Sequence, residues 1–255
     1  MLLTDEVIDR LQRFRIRTML ASRDLGYKVA EIGGGAARFA GAGSPVTQTY
    51  GVGFRGAAVD LKVLDEFYQG LADNWELIVT PFDSPEVFQQ AVTLGYVPDH
   101  FETVMGMIAG EVETPGIPDL TIEERGEGDE LWIKTSEAGW MELPELPEQP
   151  SEFGRQMAKG GQTRRFLAYW KGEPAATAAI LGSEGDFLLA GACTRTQFRG
   201  LGIQKALGRH RLRVAGPGSF VQVVTLPGSA SHRNAQRTGF SPLYSKLVMM
   251  RRLPN

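Results

Sequence analysis

The chain has 255 residues, is 42% hydrophobic and 22% charged, and carries a net charge of −3. This balance fits a globular protein of one large or two ordinary domains, and no apolar run approaches the roughly 20 residues of a membrane-spanning helix. A single cysteine, Cys193, excludes an intrachain disulfide, and three dispersed histidines argue against a metal site, so no metal and no membrane are expected.

The N-terminal segment carries Asp5, Glu6 and Asp9 and does not read as a secretory signal, so a cytoplasmic location is expected. Residues 4–25 form an amphipathic helical pattern through Val7, Ile8, Leu11, Phe14 and Met19. Gly33-Gly34-Gly35 and Gly41-Ala42-Gly43-Ser44-Pro45 mark turns between short strands. A helix is predicted over 61–71, a strand over 76–79, a helix over 85–94 and a strand over 101–108. Gly110, Pro115, Gly116 and Pro118 then read as a linker.

Beyond the linker the pattern predicts a strand over 120–123 and helices over 130–139 and 152–159. Strands follow over 165–170, 175–181 and 187–194. A helix over 202–215, a strand over 221–225, a helix over 231–238 and a last strand over 243–250 complete the order. The two halves repeat. Phe54-Arg55-Gly56 returns as Phe198-Arg199-Gly200, Leu94-Gly95-Tyr96 as Thr238-Gly239-Phe240, and Val104-Met105 as Val248-Met249, always 144 residues later. A constant offset in matching elements points to two copies of one α+β module.

Charge is distributed unevenly. Residues 187–255 hold 11 Lys or Arg and no Asp or Glu, which favours an anionic ligand. Within this stretch Arg199-Gly200-Leu201-Gly202-Ile203-Gln204-Lys205 follows a predicted strand and opens a predicted helix. The first turn of a helix has unpaired N–H groups at the positive end of the dipole, and glycines let a phosphate approach them. The stretch lacks aromatic interleaving and any nucleic-acid motif, so a phosphate-bearing cofactor is favoured over nucleic acid.

These residues resemble the GNAT superfamily of acyl-CoA-dependent N-acyltransferases. The element order over 119–253 is that family's order. Its signature, Gln/Arg-x-x-Gly-x-Gly/Ala, is met by Arg199 and by Gly202 in the glycine-containing turn, and departs at Gln204, where the family has a small residue. The segment Pro227 to Phe240 looks like the family's fourth helix, which ends in Gly-Phe or Gly-Tyr. The resemblance implies an α+β fold of two GNAT-like modules, each a mixed, mostly antiparallel sheet flanked by helices. Residues 1–110 form the degenerate N-terminal module and 119–255 the acetyl-CoA-binding one.

The resemblance further implies acetyl-CoA as acyl donor and a small-molecule or peptide amine as acceptor. Backbone N–H groups of Gly200, Leu201, Gly202, Ile203 and Gln204, following Arg199, would cradle the pyrophosphate, and Lys205, Arg209 or Arg233 would reach the 3′-phosphate. Ala192, Cys193 and Thr194 would offer backbone to the pantetheine arm, and Ser231 or Asn234 would contact CoA. The family's usual acid, a tyrosine, falls at Ala235, which leaves Tyr244 as the nearby substitute. Glu142, with Glu137 as a second choice, is the candidate base. Cys193 has no histidine near it in sequence and reads as a small buried hydrophobe. Thirteen acids over 111–152, with Trp132, Trp140 and Met141, suit a cationic acceptor. In the N-terminal copy Ala58 takes the place of Gly202 and Asp60 brings a negative charge, so that copy is expected to have lost the cofactor. The rival reading is a catalytically weak or inactive acyl-CoA-binding protein.

Overall fold

The chain resolves into two compact units in a computed structural model that describes residues 3–41, 43–113 and 116–252. The N-terminal unit opens with α1 (Asp5–Ala21), whose first turn is held by the Thr4 hydroxyl accepting from the Val7 N–H at 3.3 Å. Strands β1 (Lys28–Ile32), β2 (Gly35–Phe39) and β3 (Gln48–Tyr50) follow. Next come α2 (Lys62–Tyr68), β4 (Asn74–Val79), α3 (Pro85–Thr93) and β5 (Val97–Ile108).

The C-terminal unit takes β6 (Leu120–Arg125), α4 (Glu130–Trp140), α5 (Glu152–Ala158), β7 (Thr163–Trp170), β8 (Glu173–Ser183) and β9 (Asp186–Thr194). It continues with α6 (Ile203–Ala215), β10 (Phe220–Thr225) and α7 (Ala230–Arg237), and the chain ends in β11 (Ser241–Arg252). The two units do not divide at the linker. Residues up to Val104 are joined by Leu243 onward, whereas Met105–Val224 and Gly228–Pro242 make the other unit. The last strand, β11, therefore completes the N-terminal unit, and the end of β5 enters the C-terminal one.

In the N-terminal unit the strand order is β1-β2-β3-β4-β11-β5, with β3 and β4 parallel and β4 and β11 antiparallel. Side chains alternate across this sheet. Leu77 and Met249 face a cluster with Leu61, Leu64, Tyr68, Val87 and Ala91 from the α2–α3 side. Ile78 and Val248, one residue along, face Met19, Ile16 and Leu20 of α1.

The C-terminal unit has the order β5-β10-β9-β8-β7-β6. Phe166, Ala168, Ile180, Leu189 and Val221 pack with Ile203, Leu207 and Leu212 of α6. On the other face Leu167 and Ala179 pack with Trp132, Ile133 and Ala158 of α4–α5. Side chains cap three helices of this unit: Asp129 accepts from Trp132 N–H at 2.8 Å, Ser151 from Gly154 N–H at 3.0 Å and Ser229 from His232 N–H at 3.1 Å. The fourth, α6, has Gly202 at its N-cap and no side-chain cap.

Candidate functional site

The C-terminal unit opens between β9 and β10. These strands are parallel and pair only from Asp186↔Phe220 to Leu189↔Val223. Beyond Leu189 strand β9 bulges: Ala190 faces Ala179 and Cys193 faces Thr177, so β9 advances three residues while β8 advances two. Gly191, with φ +58°, supplies the backbone freedom at the extra residue. Ala192, Cys193 and Thr194 therefore follow β8 and have no β10 residue paired with them.

A single 3₁₀ turn, Thr196–Phe198, redirects the chain into Arg199-Gly200-Leu201-Gly202 and then α6. Gly200 and Gly202 have φ +82° and +78°, a region that L side chains enter with strain. A Cβ on Gly200 would meet no atom within 4 Å, and one on Gly202 would meet only Ile117 Cδ1 at 3.8 Å, so the loop faces open space. The first α6 bond runs from Ala206 N–H to Gly202 O at 3.1 Å. Among the described residues no protein group accepts from the N–H groups of residues 200–205. An uncapped helix start beside an unpaired strand edge can bind phosphate at one place and an amide-bearing chain at the other.

No protein-family model and no curated protein sequence matches this chain. Solved structures do. The chain is similar to the tandem GNAT protein from the clavulanic acid biosynthesis pathway, with 15% identity and a TM-score of 0.61 over 100% of this chain and 98% of that one. The chain has the tandem GNAT fold. A GCN5-related N-acetyltransferase from Kribbella flavida is similar at 14% identity, TM-score 0.63, covering 94% of this chain and 95% of that one. One from Sphaerobacter thermophilus is similar at 18% identity, TM-score 0.60, covering 87% and 78%. In the GNAT fold found here, the expected α+β architecture of two modules stands.

The structure groups most, but not all, of the site residues expected from sequence. Residues 192–194 and 199–205 lie on one continuous turn from β9 to α6. Ile203 is buried in the core, while Leu201, Gly202 and Lys205 are exposed. Arg199 lies along the free edge: its Nε donates to Thr194 O at 3.3 Å and its Nη1 pairs with Glu142 Oε1 at 2.7 Å. Glu142 is thus an exposed partner of the loop arginine. Glu137 is only 6% exposed and accepts from the Ser151 backbone and hydroxyl, so it anchors the start of α5 and is not placed as a base. Ser231 and Asn234 are exposed on α7, where Asn234 Oδ1 accepts from Arg237 at 3.1 Å. The Cys193 thiol is buried against the Thr135 and Ser136 carbonyls and Thr177 Oγ1, and burial raises its pKa, as suits a packing residue.

Tyr244 requires correction. It belongs to the N-terminal unit. Its hydroxyl lies 3.1 Å from the Tyr50 hydroxyl and accepts from Gln12 Nε2 at 3.3 Å, and its ring meets Phe82 edge-on. Burial pushes its pKa up to about 12. A buried hydroxyl already bonded on two sides is not placed to protonate a thiolate at the β9–α6 loop.

The basic surplus of the C-terminal quarter also has another explanation in part. Arg195 and Arg211 are buried and donate to backbone carbonyls. Lys246 pairs with Glu102 and Arg251 with Asp65 in the N-terminal unit. Sequence reading missed these roles. The signal available for Arg211 was its place on the apolar side of α6, between Leu207 and Leu212.

The corresponding loop of the N-terminal unit is built differently. Asp60 Oδ1 accepts from the Lys62 N–H at 3.1 Å, and Gln90 Oε1 from the Leu61 N–H at 3.0 Å, so side chains already occupy the start of α2. Arg55 turns to Asp9 at 3.1 Å and to the Asp5 carbonyl. The loop packs against the β1–β2 turn so closely that a Cβ on Gly33 would sit 2.8 Å from Ala58 O.

Two half-buried carboxyls in this unit give it an inverted pH dependence. Burial, aided by Glu102, raises Glu76 to about 7, and burial raises Asp83 to about 6 against hydrogen bonds from Thr80. Both groups bind protons more readily folded than unfolded. Their stabilising contribution is therefore complete below about pH 4 and is lost as pH rises through 6 and 7. Thermal melts should show the wild type losing stability from pH 5 to 7.5 relative to a Glu76→Gln/Asp83→Asn variant. A parallel pH trend in the two proteins would contradict the assignment.

Proposed function

We propose that this chain is an acyl-CoA-dependent N-acyltransferase of the GNAT type. It moves an acetyl group from acetyl-CoA to a small-molecule or peptide amine in the C-terminal unit. The observation that carries this reading is the uncapped start of α6 placed next to the unpaired edge of β9. CoA brings roughly four negative charges on its pyrophosphate and 3′-phosphate. Those phosphates match the free N–H groups of residues 200–205 together with Arg199 and Lys205, and the amide-bearing arm matches the backbone of Ala192–Thr194.

Direct transfer forms the amide C–N bond as the thioester C–S bond breaks, and the CoA thiolate departs. The attacking nitrogen must first be neutral. The candidate for drawing in an ammonium and taking its proton is Glu142, whose carboxylate pairs with Arg199 Nη1 at 2.7 Å. It is exposed, and an exposed ion pair such as Arg199–Glu142 is weak enough to exchange when a phosphate arrives. Trp140 and Met141, 67% and 52% exposed at the end of α4, offer an apolar and cation–π surface beside it in sequence. With Ala235 at the family's acid position and Tyr244 buried elsewhere, the thiolate would leave without a side-chain acid. That same absence favours a second reading, an acyl-CoA-binding protein with little or no transferase activity. Acetyl transfer to a panel of amines, read as free thiol, separates the two.

In either reading the N-terminal unit has lost its own acyl-CoA site, because Asp60 and Gln90 fill the start of α2. Calorimetric titration should therefore give one acetyl-CoA per chain. Two equivalent sites would refute the degenerate assignment of residues 1–110.

A further inference from the structure

Helix α6 sends two polar side chains into the β8–β9 ladder, one on each side of the bulge. Gln204 Nε2 donates to Thr177 O at 3.3 Å, to Thr194 Oγ1 at 3.0 Å and to Cys193 O. Seven residues on, and so on the same helix face, Arg211 is 5% exposed. Its Nη1 donates to Ala179 O at 3.1 Å and Ala190 O at 3.2 Å, and its Nε to Leu207 O at 3.2 Å. The acceptors bracket the irregularity: Ala179 faces Ala190 just before the bulge, and Thr177 faces Cys193 just after it.

A bulge interrupts the ladder and leaves backbone carbonyls to be satisfied by other donors. A guanidinium buried with no carboxylate partner among the described residues is otherwise hard to rationalise. Gln204 also stands at the loop position where the resemblance calls for a small residue. Its backbone N–H belongs to the free group at the start of α6, and its side chain grips the edge of β9. One residue thus links the two places a CoA molecule would touch.

We propose that Gln204 and Arg211 are positioning residues that fix the β9 bulge and so hold the free edge at 192–194 in register with the 199–205 loop for the arm of acyl-CoA. The proposal rests on the reading of the C-terminal unit as an acyl-CoA site. It predicts a selective defect, since the phosphates need only the loop and the pantetheine arm needs the edge.

Two probes separate these regions: CoA itself, and adenosine 3′-phosphate 5′-diphosphate, which keeps the pyrophosphate and the 3′-phosphate and has no arm. Gln204→Met keeps the length of the side chain and removes the donor. It should weaken CoA about tenfold, equivalent to about 1.4 kcal/mol, and leave affinity for the armless diphosphate within about twofold. Arg211→Met should act in the same direction. Arg211→Lys, which keeps a donor and a charge, serves where the methionine variant fails to fold, and should give a smaller selective loss. Unchanged CoA affinity in a folded Gln204→Met protein would overturn the proposal. Equal losses for both probes would also overturn it, because Gln204 would then act on the loop alone. If the wild type binds neither probe, the acyl-CoA reading itself falls and takes this proposal with it.

Discussion

Gly202→Asp is expected to weaken acetyl-CoA binding by at least tenfold, about 1.4 kcal/mol, while the protein still folds. The position has φ +78°, which Asp tolerates better than most residues, and the new Cβ would meet only Ile117 Cδ1 at 3.8 Å. The carboxylate would project over the N–H groups at the start of α6. Two unit charges about 4 Å apart repel by on the order of 4 kcal/mol at an effective dielectric of about 20, so the tenfold figure is a lower bound. The N-terminal unit already contains a version of this change: Asp60 accepts the Lys62 N–H at the start of α2. Calorimetry measures the affinity, and a melt confirms the fold. Gly202→Ala, which adds strain without charge, should fall between the variant and the wild type. If Gly202→Asp binds acetyl-CoA as the wild type does, the phosphates do not sit on this loop.

The elements were largely legible because local signals agree with tertiary ones. Ser229 before 230–237 and Asp129 before 130–140 announce helices by the caps they form. The 144-residue repeat places Gly95 and Gly239, with φ +82° and +102°, just past the ends of α3 and α7. The same repeat explains what was not legible. Val104-Met105 and Val248-Met249 have the same alternation, so pattern alone cannot say which copy each strand completes. The structure gives Val248 and Met249 to the N-terminal unit and Met105 to the C-terminal one. Tyr244 belongs to the N-terminal unit for the same reason: nearness in sequence to Gly239-Phe240 is not nearness in the fold. Arg195, Arg211 and Lys246 count toward a basic surplus in the sequence because composition cannot distinguish a buried cation bonded to carbonyls or a carboxylate from an exposed one. Gln204 looked like a departure from a pattern, and only the bulge in β9 shows what its amide bonds.

Glu102→Ala is expected to destabilise the protein by about 3–5 kcal/mol, more than most surface changes. Lys246 on β11 is 3% exposed, and its ammonium lies 2.8 Å from Glu102 Oε2 and 5.8 Å from the centre of the Tyr50 ring. Burial lowers the Lys246 pKa first, the nearby Arg15 lowers it further, and Glu102 opposes both. Without Glu102 the ammonium keeps its desolvation and its repulsion and loses its main partner. For a chain of this size the loss corresponds to a fall in Tm on the order of 10 °C. The pH dependence identifies the cause. A lysine whose folded pKa lies below its unfolded value is penalised fully while charged in both states, and the penalty is relieved as pH rises from the folded pKa toward about 10.4. The gap in Tm between Glu102→Ala and wild type should therefore narrow between pH 7 and pH 10. Replacing both partners, Glu102→Leu with Lys246→Met, should recover most of the stability, because two apolar side chains leave no buried charge unpaired. A Glu102→Ala variant that melts with the wild type at pH 7 would mean that Lys246 finds water or another carboxylate, with Glu76 the nearest candidate. A gap that stays constant up to pH 10 would place the loss in packing and remove the ammonium as its origin.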